Sequence, residues 1–363
     1  MKTIFQIVAS LDLGGSERVA INIASTPNTN YAHHIIEVVK GCSVFSDGLK
    51  KELREKGITY HCSPVKNRKL AIVLFPFWFV SLYVRLKPDI IHAHTEVPDL
   101  ALKLFHKIAW MCFWIKPRYV RTIHSTRLWS KWEKLGPWVE RYYIKHHSNI
   151  AISVSTRDCY VTQYGDPVPP IIYNGLEEVE QKVFPDLKVG KINILFAGRL
   201  EYEKGIDELI AVVTALKDDS RFHFTIVGSG RMEQKVKEAF EGFGNVSLYE
   251  KIFGLNQYLG SFDYLFMPSN FEGLALMPIE ASLAYTPTII NRCPGLKDTL
   301  PDDWALAVTD NSVGDFVELI SNKLNNYSYD ELAQTAHEFA SKHFSLSKMQ
   351  QSYEQFYEER YKR

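Results

Sequence analysis

The stretch KINILFAGRLEYEKGIDELI (191–210) reads as a buried strand, a loop closed by Gly205, and the start of a helix. Its apolar run is short and continuous, as in a strand covered on both faces. Toward the C-terminus the same unit recurs at FHFTIVG (222–228), DYLFMPS (263–269) and TPTIINR (286–292). Toward the N-terminus lies an earlier series: TIFQIVAS (3–10), HIIEVVK (34–40), DIIHAH (89–94), RYVRTIH (118–124) and NIAIS (149–153). Helical patterns near 16–26, 46–56, 97–115, 132–147 and 154–164 separate those runs. Strand–helix alternation on this scale predicts parallel sheets with helices on both faces. The restart near residue 190 follows YGDPVPPIIYNGLEEVEQKVFPDLKVGK, so the fold class is α/β with two doubly wound domains and a hinge. The expected boundaries are 1–173, 174–345 and a final amphipathic helix, 346–363, with Met349, Tyr353, Phe356 and Tyr357 at helical spacing.

A chain of 363 residues exceeds the usual single domain, in agreement with two cores. Five scattered cysteines (Cys42, Cys62, Cys112, Cys159, Cys293) without a C-x-x-C pair argue against a disulfide framework and a zinc site, and favour a reducing compartment. The opening MKTIFQIVAS is too short and too polar for a signal peptide. Net charge is zero, yet residues 1–175 hold 23 Lys and Arg against 13 Asp and Glu, and residues 176–363 hold 19 against 29. A basic first half points to an anionic partner there. The run LAIVLFPFWFVSLYV (70–84) is shorter than the roughly 20 residues of a membrane span and contains Pro76. Lys66, Arg68, Lys69, Arg85 and Lys87 flank it. Two readings stay open, a helix half in the core and half at a membrane surface, or a wholly buried one.

In open α/β sheets ligands bind beyond the carboxyl ends of the strands, so the loops there carry the candidate chemistry. In LDLGGSERVAINIA (11–24), Gly14 and Gly15 allow close backbone approach, Ser16 is a candidate cap, and the helix start suits a phosphate. In FAGRLEYEKGIDELI (196–210), Arg199 and Lys204 could neutralise a diphosphate. IVGSGRMEQKV (226–236) has Gly228 and Gly230 without the third glycine of a dinucleotide fingerprint, which suits close packing beside a nucleotide better than NAD. In SNFEGLALMPIEAS (269–282), Pro278 requires the helix to start between about 275 and 278. Glu272 then lies before that helix and Glu280 inside it, each able to accept from a diol. N–H groups around Gly273, Leu274 and Ala275 are placed to hold phosphate between them. The pattern diol, phosphate, diol describes a nucleotide-sugar. His92 reads as a core histidine, and His124, ending a strand, as the better functional candidate. Convergent metal-ligand spacing is absent from the sequence.

These loops resemble the retaining nucleotide-sugar glycosyltransferases of glycosyltransferase family 4. Their GT-B fold places two Rossmann-like domains facing across a cleft. The resemblance covers nearly the whole chain, through GGSERV, IIYNG (171–175), GRLEYEKGID, VGSG, PSNFEGLALMPIEA and TPTIINRCPGLKD. It implies that Arg199 and Lys204 bind the donor diphosphate, that Glu272 holds donor-sugar hydroxyls and Glu280 the ribose, and that Gly15 approaches the phosphates. It further implies that His124 contacts the donor sugar, that YEKIFG (249–254) borders the base, and that the last helix packs on the first domain. The implied enzyme is a metal-independent hexosyltransferase without a cofactor, taking a nucleoside diphosphate sugar and a glycan or lipid-linked acceptor, as in surface polysaccharide assembly. Nucleic acid is not among the expected partners. The implied place is the cytoplasm, with peripheral contact at an anionic membrane through the N-terminal domain. Trp78, Trp110, Trp114, Trp129, Trp132 and Trp138 fit such an acceptor side. Two departures bear on donor preference: Ala275 stands where the family has a second glycine, and CPGLKD ends in Asp298 where Glu is common. Residues alone leave Asp12, Glu17, His94, Glu96, Asp99 and His124 open as bases of an inverting reaction. An epimerase and a non-catalytic nucleotide-sugar binder are the alternative functions.

Overall fold

The computed structural model describes residues 2–12, 14–27, 30–113, 118–130, 132–165 and 167–362, leaving aside the side chains of residues 44, 45 and 110–113. Trp110, Cys112 and Trp114 therefore lie outside the described side chains. The chain divides into two compact units, residues 1–175 with 346–363, and residues 176–345.

The first unit runs β1 (Lys2–Val8), α1 (Gly15–Ala24), β2 (Tyr31–Glu37), α2 (Val44–Glu55), β3 (Thr59–Cys62), α3 (Arg68–Leu86), β4 (Ile90–His94), α4 (Glu96–Phe113), β5 (Arg118–Ile123), α5 (Gly136–Lys145), β6 (Asn149–Ala151) and α6 (Val154–Tyr164). Its sheet has the order β3-β2-β1-β4-β5-β6, with every pairing parallel. Alternation along the strands sorts the two faces. Phe5, Ile7, Ile91 and Ala93 pack with Phe75, Phe79 and Phe105 of α3 and α4. Ile4, Ile90, Val120 and Ile150 pack with Val19 and Ile23 of α1 and with Met349, Tyr353 and Tyr357 of α12 (Leu346–Lys362). The last helix is thus part of the first unit's core.

The second unit runs β7 (Ile192–Ala197), α7 (Ile206–Ala215), β8 (Phe222–Val227), α8 (Glu233–Ala239), β9 (Val246–Tyr249), β10 (Tyr264–Met267), α9 (Leu276–Leu283), β11 (Thr288–Asn291), β12 (Ala307–Val308), α10 (Val313–Glu318) and α11 (Tyr329–His343). Its all-parallel sheet has the order β12-β11-β10-β7-β8-β9. Ile194, Leu195 and Phe196 of β7 are buried in one apolar cluster with Leu265 and Phe266 of β10 and Leu209, Val212 and Val213 of α7.

α3 settles one open reading. Asn67 caps it, Oδ1 accepting from the Leu70 N–H, and Lys87 ends it in the left-handed region. Ala71, Ile72, Phe75, Phe79 and Leu82 are buried, whereas Val73 is 55% and Phe77 64% exposed, with Leu70, Leu74 and Val84 also exposed. The wholly buried reading is therefore wrong: one face is core and the other is an apolar solvent face. α3 is long and apolar enough to cross a membrane by composition, although 33% of its most apolar window is buried. The tryptophans do not act as one surface either. Trp129 is 1% exposed and donates through Nε1 to Glu140, 2.6 Å away.

Candidate functional site

Strand order reverses between β1 and β4 in the first sheet and between β7 and β10 in the second. Doubly wound sheets bind ligands beyond the carboxyl ends of the strands at that reversal. In the second unit the loops there are 198–205 and 268–275, and they bring together two residues 68 positions apart. Lys204 Nζ lies 2.5 Å from Glu272 Oε1, and the Ser269 hydroxyl donates to the same oxygen at 3.0 Å. Both charged side chains are largely enclosed, at 16% and 12% exposure.

Backbone contacts tie the two loops to each other. The Asn270 N–H donates to the Glu203 carbonyl (2.9 Å), and Asn270 Nδ2 to the Tyr202 carbonyl (2.9 Å). Asn291 Nδ2 donates to Ser269 O and Asn311 Nδ2 to Pro268 O, each at 2.8 Å. Gly205 has φ +67° and sits so close to Pro268 that a Cβ would come 1.7 Å from its carbonyl oxygen. Only glycine fits that crossing. Gly228 and Gly230 follow β8 and pack onto the Gly198 and Leu200 carbonyls, where added Cβ atoms would lie 2.0 and 2.5 Å away. They serve close packing of loops, in keeping with the missing third glycine.

α9 begins at Leu276, with Pro278 buried in its first turn and Ala275 as its extended N-cap without a side-chain cap bond. The Glu272 and Ala275 N–H groups donate to the carbonyls of Pro294 and Gly295, at 3.0 and 3.3 Å. This corrects the expectation for Ala275, whose N–H is already engaged by the turn after β11. The unbonded donors of the helix start are those of its first turn, beginning at Leu276. Glu280 lies farther along α9, half-buried, with Gly273 and Leu274 in the loop before it. Arg199 stands apart from the Lys204–Glu272 pair: its side chain is 68% exposed and pairs with Glu203 at 2.8 Å.

In the first unit, Gly14 is the N-cap of α1 and Gly15 its first residue. Ser16 does not cap. It stands inside the helix and its hydroxyl donates to Glu17 Oε2 at 2.8 Å. The loop after β1 is organised instead by buried Glu37, whose Oε1 accepts from the Leu11 and Gly41 N–H groups at 2.7 and 2.6 Å. Several open bases are structural. Asp99, fully buried, accepts from Arg121 Nε at 2.7 Å, and Arg121 also pairs with Glu140. Burial pushes the Asp99 carboxyl up to about 7 against the opposing pull of Arg121. Glu17 is buried with its carboxyl raised, chiefly by desolvation. Glu96 accepts from the Trp129 N–H, and Asp12 from the Ser43 hydroxyl.

His124 follows β5, part-buried, with Nε2 3.1 Å from His94 Nδ1. Burial and then nearby Arg121 hold it down to about 3, so it is neutral near pH 7. His92 is a core residue, bonded to Tyr357 and Thr122 at 2.7 Å each. Thr95, just past His94, holds φ +78° with its hydroxyl buried and unpartnered, a strained conformation for a β-branched residue. Among the described residues no group of three or more His, Cys, Asp or Glu is placed to hold a metal ion.

Two family models match the chain: Glycosyltransferase Family 4 over residues 13–179, and Glycosyl transferases group 1 over residues 178–343. An uncharacterised 41.2 kDa protein in the cps region of Klebsiella pneumoniae is 28% identical over 75% of this chain and 79% of its own. The next two curated relatives are spanned over only 60% and 54% of their own length. Among solved structures, a glycosyltransferase from Rickettsia africae superposes with a TM-score of 0.77 at 18% identity, covering 99% of this chain and 98% of that one. The Anabaena protein HepE in complex with UDP-glucose superposes with a TM-score of 0.80 at 16% identity, over 99% and 100%. With two all-parallel, helix-covered sheets and family matches running from residue 13 to residue 343, the chain belongs to glycosyltransferase family 4 and carries its GT-B fold.

Proposed function

We propose that this glycosyltransferase moves a hexosyl group from a nucleoside diphosphate sugar to an acceptor hydroxyl, with retained anomeric configuration and no divalent metal. The observation that carries this reading is the meeting of Lys204 and Glu272 at the strand-order reversal of the second unit, before the uncapped start of α9. Cleavage of the sugar–phosphate bond builds negative charge on the departing phosphate and positive character on the sugar. An enclosed ammonium and the positive end of a helix dipole oppose the first charge. Glu272, once released from Lys204, accepts hydroxyl protons of the sugar, and Glu280 those of the ribose. Arg199, exposed and paired with Glu203 in the loop before α7, adds a second cation to the diphosphate on leaving that pair. HepE was crystallised with UDP-glucose, which makes a UDP-sugar the first donor to try.

The acceptor is a glycan or a lipid-linked saccharide of surface polysaccharide assembly, met by the first unit at the cytoplasmic face of a membrane. Support comes from the apolar solvent face of α3 and the basic residues at its two ends.

The test is Lys204→Ala. Losing one preorganised charge-stabilising group costs about 10²–10³ in kcat. Nucleoside diphosphate release at near wild-type rate by this variant would refute the role. NMR of the product anomer tests retention, and loss of transfer in EDTA with recovery in magnesium would refute the metal-free step.

A further inference from the structure

The core of the first unit encloses one cation between two carboxyls. Arg121 of β5, Asp99 of α4 and Glu140 of α5 are each 1% exposed or less. Two ionised carboxylates against one guanidinium would leave a net negative charge out of water, which is costly.

The hydrogen bonds divide the two carboxyls unequally. Glu140 accepts from Arg121 Nη1 at 2.8 Å, from the Trp129 indole at 2.6 Å and from the Tyr160 hydroxyl at 3.0 Å. Asp99 accepts from Arg121 Nε alone, through Oδ2 at 2.7 Å. Its Oδ1 and Arg121 Nη2 are both buried, and neither has a hydrogen-bond partner. A guanidinium offers parallel N–H donors, and an ionised carboxylate beside it can take two of them. A protonated carboxyl cannot, because its O–H would face an N–H. It accepts on one oxygen and turns the other away, as Asp99 does. Burial favours the same form, against the pull of Arg121.

Glu96 of α4 and Tyr143 of α5 also face this group, and His124 lies near Arg121. The arrangement reaches the carboxyl edge of the sheet through Trp129, which lies between β5 and α5 and holds φ +61°. The Trp129 N–H donates to Glu96 at 2.5 Å and its indole to Glu140. Gly136 packs so closely on the ring that a Cβ there would come 2.7 Å from it. Both carboxylates that fasten Trp129 are the ones a charge on Asp99 would repel.

We propose that Asp99 carries a buried proton, and that its loss loosens the Trp129 fastening, so that this edge of the first unit is a pH-sensitive clamp. The proposal is independent of the transferase reading.

The experiment is proton exchange at the Trp129 amide and indole N–H groups, read by NMR on protein labelled with ¹⁵N at tryptophan and assigned from the Trp129→Phe spectrum. Asp99→Asn, which keeps an acceptor for Arg121 Nε and never ionises, is the comparison. Closed, Asp99 holds its proton to about 7, against an ordinary 3.8 once exposed. The closed state's advantage is therefore complete at low pH and lost as pH rises through 7. The ratio of the wild-type exchange rate to that of Asp99→Asn should rise about tenfold from pH 6 to pH 8, most of it below pH 7. His124, which also titrates if the edge opens, is common to both proteins and cancels. Infrared spectra of the wild type should show a protonated-carboxyl band at pH 6 that shifts on ¹³C labelling of aspartate carboxyls and fades by pH 8. That measurement also stands if Asp99→Asn does not fold. Absence of the band at pH 6 overturns the proton. The band present with a ratio that does not move with pH overturns the clamp.

Discussion

Before a donor arrives, Lys204 is already occupied. Its ammonium is hydrogen-bonded to Glu272 within a part-enclosed pair, so a diphosphate must displace that carboxylate. Glu272→Gln keeps the side chain's length and lets an amide oxygen accept from Lys204 and Ser269, but removes the charge. Hydrogen bonds to charged groups contribute about 1.5–3 kcal/mol, against about 1 for neutral partners. The variant should therefore ease displacement by about 1–1.5 kcal/mol, or roughly tenfold in affinity for a free nucleoside diphosphate. A nucleotide-sugar gains the same amount and loses the charged acceptor for its hydroxyls, so its affinity should stay level or fall while kcat drops. Isothermal calorimetry of both ligands on both proteins provides the comparison. Weaker binding of free UDP, GDP and ADP alike by Glu272→Gln would show that the carboxylate supports the diphosphate and would refute the exchange.

Gly205→Ala should destabilise the second unit by about 1–3 kcal/mol through left-handed strain, and by more where the Pro268 carbonyl cannot retreat; an unchanged melting temperature would contradict the crossing. Burial lowers His33 to about 4 and His124 to about 3, and holds His92 and His94 well below 6.5. The unfolded chain then binds more protons than the folded one below pH 6.5, so these groups' stabilisation, complete above that pH, is lost as pH falls toward 4 and 3. Melting temperature measured from pH 7 down to 4.5 should drop, with a shallower slope in His33→Asn. Phe77→Asp, on the exposed face of α3, should change stability by no more than about 0.5 kcal/mol and abolish sedimentation with anionic liposomes at low salt; equal sedimentation would remove α3 as the contact.

The strands that the sequence reveals are those buried on both faces, because only they read as continuous apolar runs. β3 (TYHC) and β9 (VSLY) sit at sheet edges, partly exposed, and β12 is two residues long, so none of them stands out by composition. The start of α9 was legible because Pro278 constrains it locally. The Lys204–Glu272 pair was not, since it depends on β7 and β10 lying side by side. Sequence also cannot show that the Ala275 N–H meets Gly295, or that Ser16 falls inside its helix rather than before it. A buried polar row beneath Tyr353 and Tyr357 of α12 is the largest omission. Gln6, His33, His92 and Thr122 occupy four strands, and only the parallel register and the return of α12 align them. An alternation of His92 and His94 along one strand was the available hint. Both point to one sheet face, which a histidine of purely local role does not require.

The central claim is that the second unit grips an activated sugar by its diphosphate. A crystal of the protein soaked with UDP-glucose, or with whichever sugar nucleotide gives the largest thermal shift, tests it most directly. The account predicts the diphosphate against Lys204 and the first turn of α9, with Glu272 turned from Lys204 to the sugar hydroxyls. Ligand density elsewhere, with the Lys204–Glu272 pair intact, would contradict it.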